Sequence, residues 1–140
     1  MPAPDSETSA RWEAFYKTFE GRPPSPLLCR ALALNLPDMD HPLAIDLGCG
    51  SGIETRLLLE RGWRVLAIDQ EASAIERLKK RAGTLAEGRL RAVQGHFETL
   101  DELAPAQLIH AGLAWPFCRP DAFARFWQVQ VEALQPGALL

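Results

Sequence analysis

Ile45-Asp46-Leu47-Gly48-Cys49-Gly50-Ser51-Gly52 decides the fold, because the apolar run LAIDL (residues 43–47) gives way to glycines at every second position and then to helix-compatible sequence. A short apolar run bounded by turn residues reads as a buried strand, and the glycines as the tight turn into a helix that continues to about Arg61. Outward from this unit the alternation repeats. RVLAID (64–69) is a second strand, followed by a helix from about Glu71 to Ala82 with Ile75, Leu78 and Ala82 inward and Gly83 as its C-cap. LRAVQG (90–95) and QLIHAG (107–112) are the third and fourth strands, and a helix from about Asp121 carries Phe123, Phe126, Trp127, Val131 and Leu134 as its apolar stripe. On the N-terminal side, Trp12, Phe15, Tyr16 and Phe19 share one face of a helix over about residues 8–20. Ser25 followed by Pro26 then caps a second helix that ends before Pro37. Strands alternating with helices predict an α/β fold with a parallel sheet.

The chain has 140 residues, 47% hydrophobic and 24% charged, enough to bury roughly two-thirds of its unfolded surface in one core. Residues 1–140 are expected to form a single domain, with N-terminal helices at 8–36 and the strand–helix core at 42–140. A net charge of −3 gives no excess of Lys and Arg for phosphate contacts, so nucleic acid is not an expected partner. Cys29, Cys49 and Cys118 are an odd, scattered set without a CxxC, which argues against a disulfide framework and against a zinc site; no metal site is expected. The first ten residues lack a basic start and an apolar core, and no run approaches 18 apolar residues, so a cytoplasmic protein without membrane association is expected. LQPGALL at the C-terminus reads as helix end, turn and the first residues of a fifth strand. A fifth strand cut short leaves the fourth near an exposed edge, through which a homodimer is an expectation.

The glycines at 48, 50 and 52 let a ligand approach the backbone closely, and the N–H groups at the start of the next helix favour an anionic group. The spacing is GxGxG, with Ile53 where the dinucleotide fingerprint has its third glycine. Asp46, two residues before the first glycine, repels a pyrophosphate and attracts a ligand bearing an ammonium and a sulfonium. S-adenosylmethionine bears both. Asp69 ends the second strand 23 positions after Asp46, beside the tip of the first strand, where it can accept hydrogen bonds from both ribose hydroxyls.

AIDLGCGSG, VLAIDQ, VQGHFETL and LQPG, in that order and spacing, resemble the successive motifs of class I S-adenosylmethionine-dependent methyltransferases, over about residues 25–140. FYKTFEGRPPSPLL and LIHAGLAWPFCRPDAFARFW are similar, more narrowly, to the small tellurite-resistance-type methyltransferases that act on small molecules. The resemblance implies a Rossmann-like sheet in the order 3-2-1-4-5-7-6 with helices on both faces, its C-terminal strands missing or incomplete here. It puts Gly48, Cys49, Gly50 and Gly52 around the methionine moiety, Asp46 near its ammonium, Asp69 on the ribose, Gln70 against the adenine, and His96 and Phe97 flanking the adenine. His96 stands where the family most often has an aspartate. Ala111, Gly112 and Leu113 would border the transferred methyl, and Tyr16, Arg22, Trp115 and Phe117 the acceptor.

Methyl transfer from a sulfonium is an in-line displacement with an already activated leaving group, so positioning and desolvation supply much of the rate. A thiol or chalcogen oxyanion acceptor needs no general base. No catalytic residue is assigned from sequence; for a hydroxyl or amine acceptor, His110 and Tyr16 are the first candidates. Two rival functions remain at this stage: a non-catalytic module that holds S-adenosylmethionine or S-adenosylhomocysteine, and an NAD(P)-dependent oxidoreductase on the same fold.

Overall fold

Strand β1 (Leu43–Leu47) is the central strand of a five-stranded sheet in the order 3-2-1-4-5. The computed structural model describes residues 6–34, 37–112 and 114–140, so Leu113 lies outside the described residues. Helices α1 (Ser6–Phe19) and α2 (Pro26–Leu34) precede β1; α3 (Ile53–Glu60), β2 (Arg64–Asp69), α4 (Ala72–Ala82), β3 (Leu90–Gln94), β4 (Ala106–His110), α5 (Pro120–Ala133) and β5 (Leu134–Leu139) follow. All strand pairs are parallel, with Asp46 opposite Ala67 of β2 and His110 of β4.

The pleat divides β1 between two cores, which is why its sequence reads as a continuous apolar run. Ala44, Val65, Ala67 and Leu108 face Leu28 and Leu32 of α2, Leu58 and Leu59 of α3, and Leu78 of α4. Ile45, Leu47, Ile68 and Ile109 face Phe126 and Ala133 of α5. Asp46 points to the α3 side with Ala44, at the end of the strand where the core opens into the loop. Ser25 caps α2 as expected: its Oγ accepts from Leu28 N at 3.4 Å.

Two expectations are corrected. The stripe of α5 is Phe126, Val129, Gln130 and Ala133, whereas Trp127 (39% exposed) and Val131 (42%) face outward. Gln130 is buried with partners at both ends of its amide: its Oε1 accepts from Trp115 Nε1 at 3.0 Å and its Nε2 donates to Phe126 O at 3.1 Å. Secondly, residues 134–139 form a strand along β4, with Ala106 opposite Leu134 and Leu108 opposite Leu139 across a register shift. β4 is therefore interior, and the edge expected there belongs to β5. Pro136 lies in that strand, a residue without a ladder donor that sheets accept at edges and bulges. No helix among the described residues is long and apolar enough to cross a membrane.

The strand order reverses direction between β1 and β4, and in open parallel sheets the crevice outside the strand C-termini at such a point is where ligands bind. The glycine loop sits there.

Candidate functional site

The loop between β1 and α3 is tied to β2 by its own amides. Gly48 N and Cys49 N donate to Ile68 O at 2.8 and 3.1 Å, and Gly50 N donates to Asp69 Oδ2 at 2.9 Å. The other oxygen of Asp69 accepts Glu71 N at 2.9 Å. Asp69 is 7% exposed, and burial raises its carboxyl pKa, with Glu71 and Asp46 adding to the effect; the backbone donors work the other way. The loop amides of 48, 49 and 50 thus serve the protein's own carbonyl and carboxylate.

The glycines divide their labour. Gly50 has φ +54°, and a Cβ there would stand 3.3 Å from Tyr16 Cε1, so its bare backbone faces the cleft below α1. Gly52, at φ +88°, is turned the other way, and a Cβ would meet Leu78 Cγ at 2.8 Å and Cα at 2.9 Å. Its missing side chain permits the close approach of α3 and α4.

Asp46 is 1% exposed and both its oxygens are engaged: Oδ2 accepts from Thr55 Oγ1 at 2.7 Å, and Oδ1 lies 3.0 Å from His110 Nδ1. Burial pulls the His110 pKa down, but the Asp46 hydrogen bond and charge outweigh it and the net shift is upward. Arg22 forms a two-pronged pair with Glu54, Nη1–Oε1 at 2.6 Å and Nη2–Oε2 at 3.0 Å, and Ser25 N adds a third bond to that carboxylate at 3.2 Å. Burial opposes ionisation of Glu54, yet the guanidinium holds its pKa below the ordinary value. Arg22 anchors the α1–α2 connection to α3 by this pair.

Helix α1 lies over the loop. Tyr16 is 6% exposed; burial, then the charges of Asp69, Cys49 and Glu71, push its phenol pKa far up, so it is neutral at any ordinary pH. Trp12 stacks on Tyr16 at 6.0 Å between ring centroids and meets Phe117 edge-on at 5.0 Å. Phe117 is 57% exposed at the rim, whereas Trp115 is turned toward α5, where its ring also meets Trp127 at 5.3 Å. Polar ties hold the rest of α1: Ser9 Oγ donates to Glu71 Oε2 at 3.0 Å, and Arg77 Nη2 donates to Glu13 Oε2 at 2.7 Å.

Among the other residues singled out from sequence, Gln70 is half-buried, with its carbonyl accepting Gln94 Nε2 at 3.1 Å. His96 is half-buried, and Phe97 stacks on Phe126 at 4.7 Å while its Cζ would lie 3.5 Å from a Cβ at Gly48. Ala111 is half-buried just after β4, and Cys49 is 5% exposed, with its thiol pKa raised by burial. The glycine loop, Asp46, Asp69, Tyr16 and Arg22 come together; Trp115 does not join them. Sequence reasoning missed Thr55, Glu54, Glu71 and Ser9. Glu54 and Thr55 carry a signal, standing in the first turn after the glycines, whereas Ser9 carries none.

The sequence matches the methyltransferase domain family over residues 44–137. It is 34% identical over 97 residues to a probable ribosomal RNA small subunit methyltransferase A of Methanospirillum hungatei, covering 69% of this chain and 37% of that protein. It is 30% identical over 111 residues to a trans-aconitate 2-methyltransferase of Deinococcus radiodurans, covering 79% of this chain and 41% of that one. The chain thus spans about two-fifths of the length of these curated relatives. In three dimensions it resembles a TehB-like SAM-dependent methyltransferase of Corynebacterium glutamicum, with a TM-score of 0.71 at 20% identity over 96% of this chain and 71% of that one. The sheet order, the loop from β1 into α3 and the match across residues 44–137 agree, and the chain belongs to the methyltransferase domain family of class I, S-adenosylmethionine-dependent enzymes.

Proposed function

We propose that this chain binds S-adenosylmethionine at the C-terminal tips of β1, β2 and β4 and transfers its methyl group to a small-molecule acceptor. The observation that carries the reading is the occupied glycine loop: the amides of 48, 49 and 50 are consumed by Ile68 O and Asp69, with Asp69 and Glu71 buried beside them. The amides of 48–50, spent in this way, are not available to a pyrophosphate, and a sulfonium gains from nearby negative charge, whereas an acidic residue at the end of β2 serves the ribose of either cofactor. This supports S-adenosylmethionine over NAD(P). In this assignment Asp69 receives the ribose, Gln70, His96 and Phe97 border the adenine, and Gly48, Gly50 and Ala111 border the methionine moiety.

A net charge of −3 supports a small acceptor over a nucleic acid, and the aromatic rim of Trp12, Phe15 and Phe117 offers that acceptor apolar walls. Tyr16, buried against Gly50, walls the cleft. An acceptor already nucleophilic at neutral pH, a thiolate or chalcogen oxyanion, requires only positioning and exclusion of water. A second reading rests on the Asp46–His110 contact: an imidazole oriented through Nδ1 presents Nε2 as a base for a hydroxyl or amine acceptor.

The test is methyl transfer from labelled S-adenosylmethionine to a panel of thiols, selenite, tellurite, phenols, amines and ribosomal RNA. Product with the soft acceptors supports the first reading, and product with phenols or amines that is lost in His110→Gln supports the second. Product only with RNA overturns the small-molecule assignment. Tight cofactor binding without any product makes the chain a binding module.

A further inference from the structure

We infer that Glu71 is a cofactor-sensing latch: one carboxylate oxygen receives a ribose hydroxyl while the other holds α1 through Ser9, so that filling the cleft and docking of α1 are coupled. The inference rests on the S-adenosylmethionine reading above. Glu71 precedes α4 and is 4% exposed, in the seam between the tip of β2 and α1. Its Oε2 accepts from Ser9 Oγ at 3.0 Å, but its Oε1 is the one buried side-chain polar atom among the described residues with no hydrogen-bond partner. Buried polar atoms are nearly always satisfied, and an orphaned carboxylate oxygen is among the costlier exceptions. The carboxyl of Asp69 and the phenol of Tyr16 both feel its charge, and the guanidinium of Arg77, which also acts on Tyr16, is bonded to Glu13. A neutral hydroxyl donor satisfies Oε1 without introducing a further charge, and the ribose assigned to Asp69, two residues away, carries two.

The geometry also gives the coupling a direction. Glu71 is held at its backbone by Asp69 and at its side chain by α1, so a ligand drawing on Oε1 fixes the rotamer on which Ser9 docks. Glu13–Arg77 and Tyr16 over Gly50 then close further along the same helix.

The test is calorimetric binding of S-adenosylhomocysteine and of its 2′-deoxy and 3′-deoxy analogues to the full chain and to Glu71→Ala, with trypsin cleavage after Arg11 and Lys17 as the readout of α1. The expected results are a loss of roughly tenfold or more for S-adenosylhomocysteine in the variant, and a loss under about twofold for the analogue lacking the contacted hydroxyl. Ligand protection of Arg11 and Lys17 is expected in the wild type and absent in the variant. Equal losses for all three ligands, or unchanged affinity and protection, overturn the latch and leave the cofactor reading standing. A folded wild type that binds none of the three overturns both. Should Glu71→Ala fail to fold, Ser9→Ala takes its place: it is expected to keep the preference for the intact ribose while losing ligand protection of α1, and retained protection overturns the coupling.

Discussion

Replacing Asp69 by alanine separates what this carboxylate does for the fold from what it does for the ligand. The change orphans two backbone donors, Gly50 N and Glu71 N, each bonded at 2.9 Å. Hydrogen bonds to a charged group contribute about 1.5–3 kcal/mol each, but two considerations lower the sum. Burial raises the Asp69 pKa, so the fold already disfavours its ionised form, and water entering from the cleft can satisfy part of what is lost. A destabilisation of about 2–3 kcal/mol remains, which at a urea dependence of about 2 kcal/mol/M moves the unfolding midpoint down by about 1–1.5 M. If the same carboxylate also receives the ribose, S-adenosylhomocysteine binding at temperatures where the variant is folded weakens by about 1–3 kcal/mol, roughly 5- to 150-fold. Urea titration and calorimetry on one preparation measure both effects. A wild-type midpoint refutes the tie between loop and β2, and a wild-type affinity in a folded variant refutes the ribose assignment.

Gly52→Ala meets Leu78 within 3 Å at a backbone angle that disfavours side chains, so a loss of about 2–4 kcal/mol is expected; an unchanged melting temperature contradicts the close α3–α4 packing. Arg22→Ala leaves the Glu54 side chain, 6% exposed, without its cation. A cost of about 1–3 kcal/mol is expected, discounted because Arg22 is 38% exposed, and Arg22→Ala/Glu54→Gln should recover part of it in urea titrations. His110 has a raised folded pKa, so its contribution to stability is full below the unfolded value of about 6.5 and is lost as pH rises through the folded value. The midpoint difference between wild type and His110→Asn should shrink from pH 5 to pH 9, and a constant difference contradicts the Asp46–His110 pairing.

What was legible in the sequence was what is local. LAIDL followed by spaced glycines specifies strand, turn and helix within a dozen residues, and Asp69 follows from strand length and parallel pairing. The long-range partners were not legible: Asp46 reads as a free carboxylate until β4 brings His110 beside it, and Arg22 reads as exposed until α3 presents Glu54. The stripe of α5 was misread because Trp127 and Val131 are apolar yet outward, while Gln130 is inward only through the indole of Trp115. The last strand was underestimated because Pro136 and Gly137 read as a turn, although β4 pairs with the residues on either side of them. Glu71 carries no signal until Ser9 is found against it.

The loop whose amides are spent on Ile68 O and Asp69 is expected to take S-adenosylmethionine and to refuse a dinucleotide. Calorimetric titration of the chain with S-adenosylhomocysteine and separately with NADH tests it most directly. One-to-one binding of S-adenosylhomocysteine with no heat from NADH is the predicted result, and binding of NADH by a folded chain that ignores S-adenosylhomocysteine would contradict it.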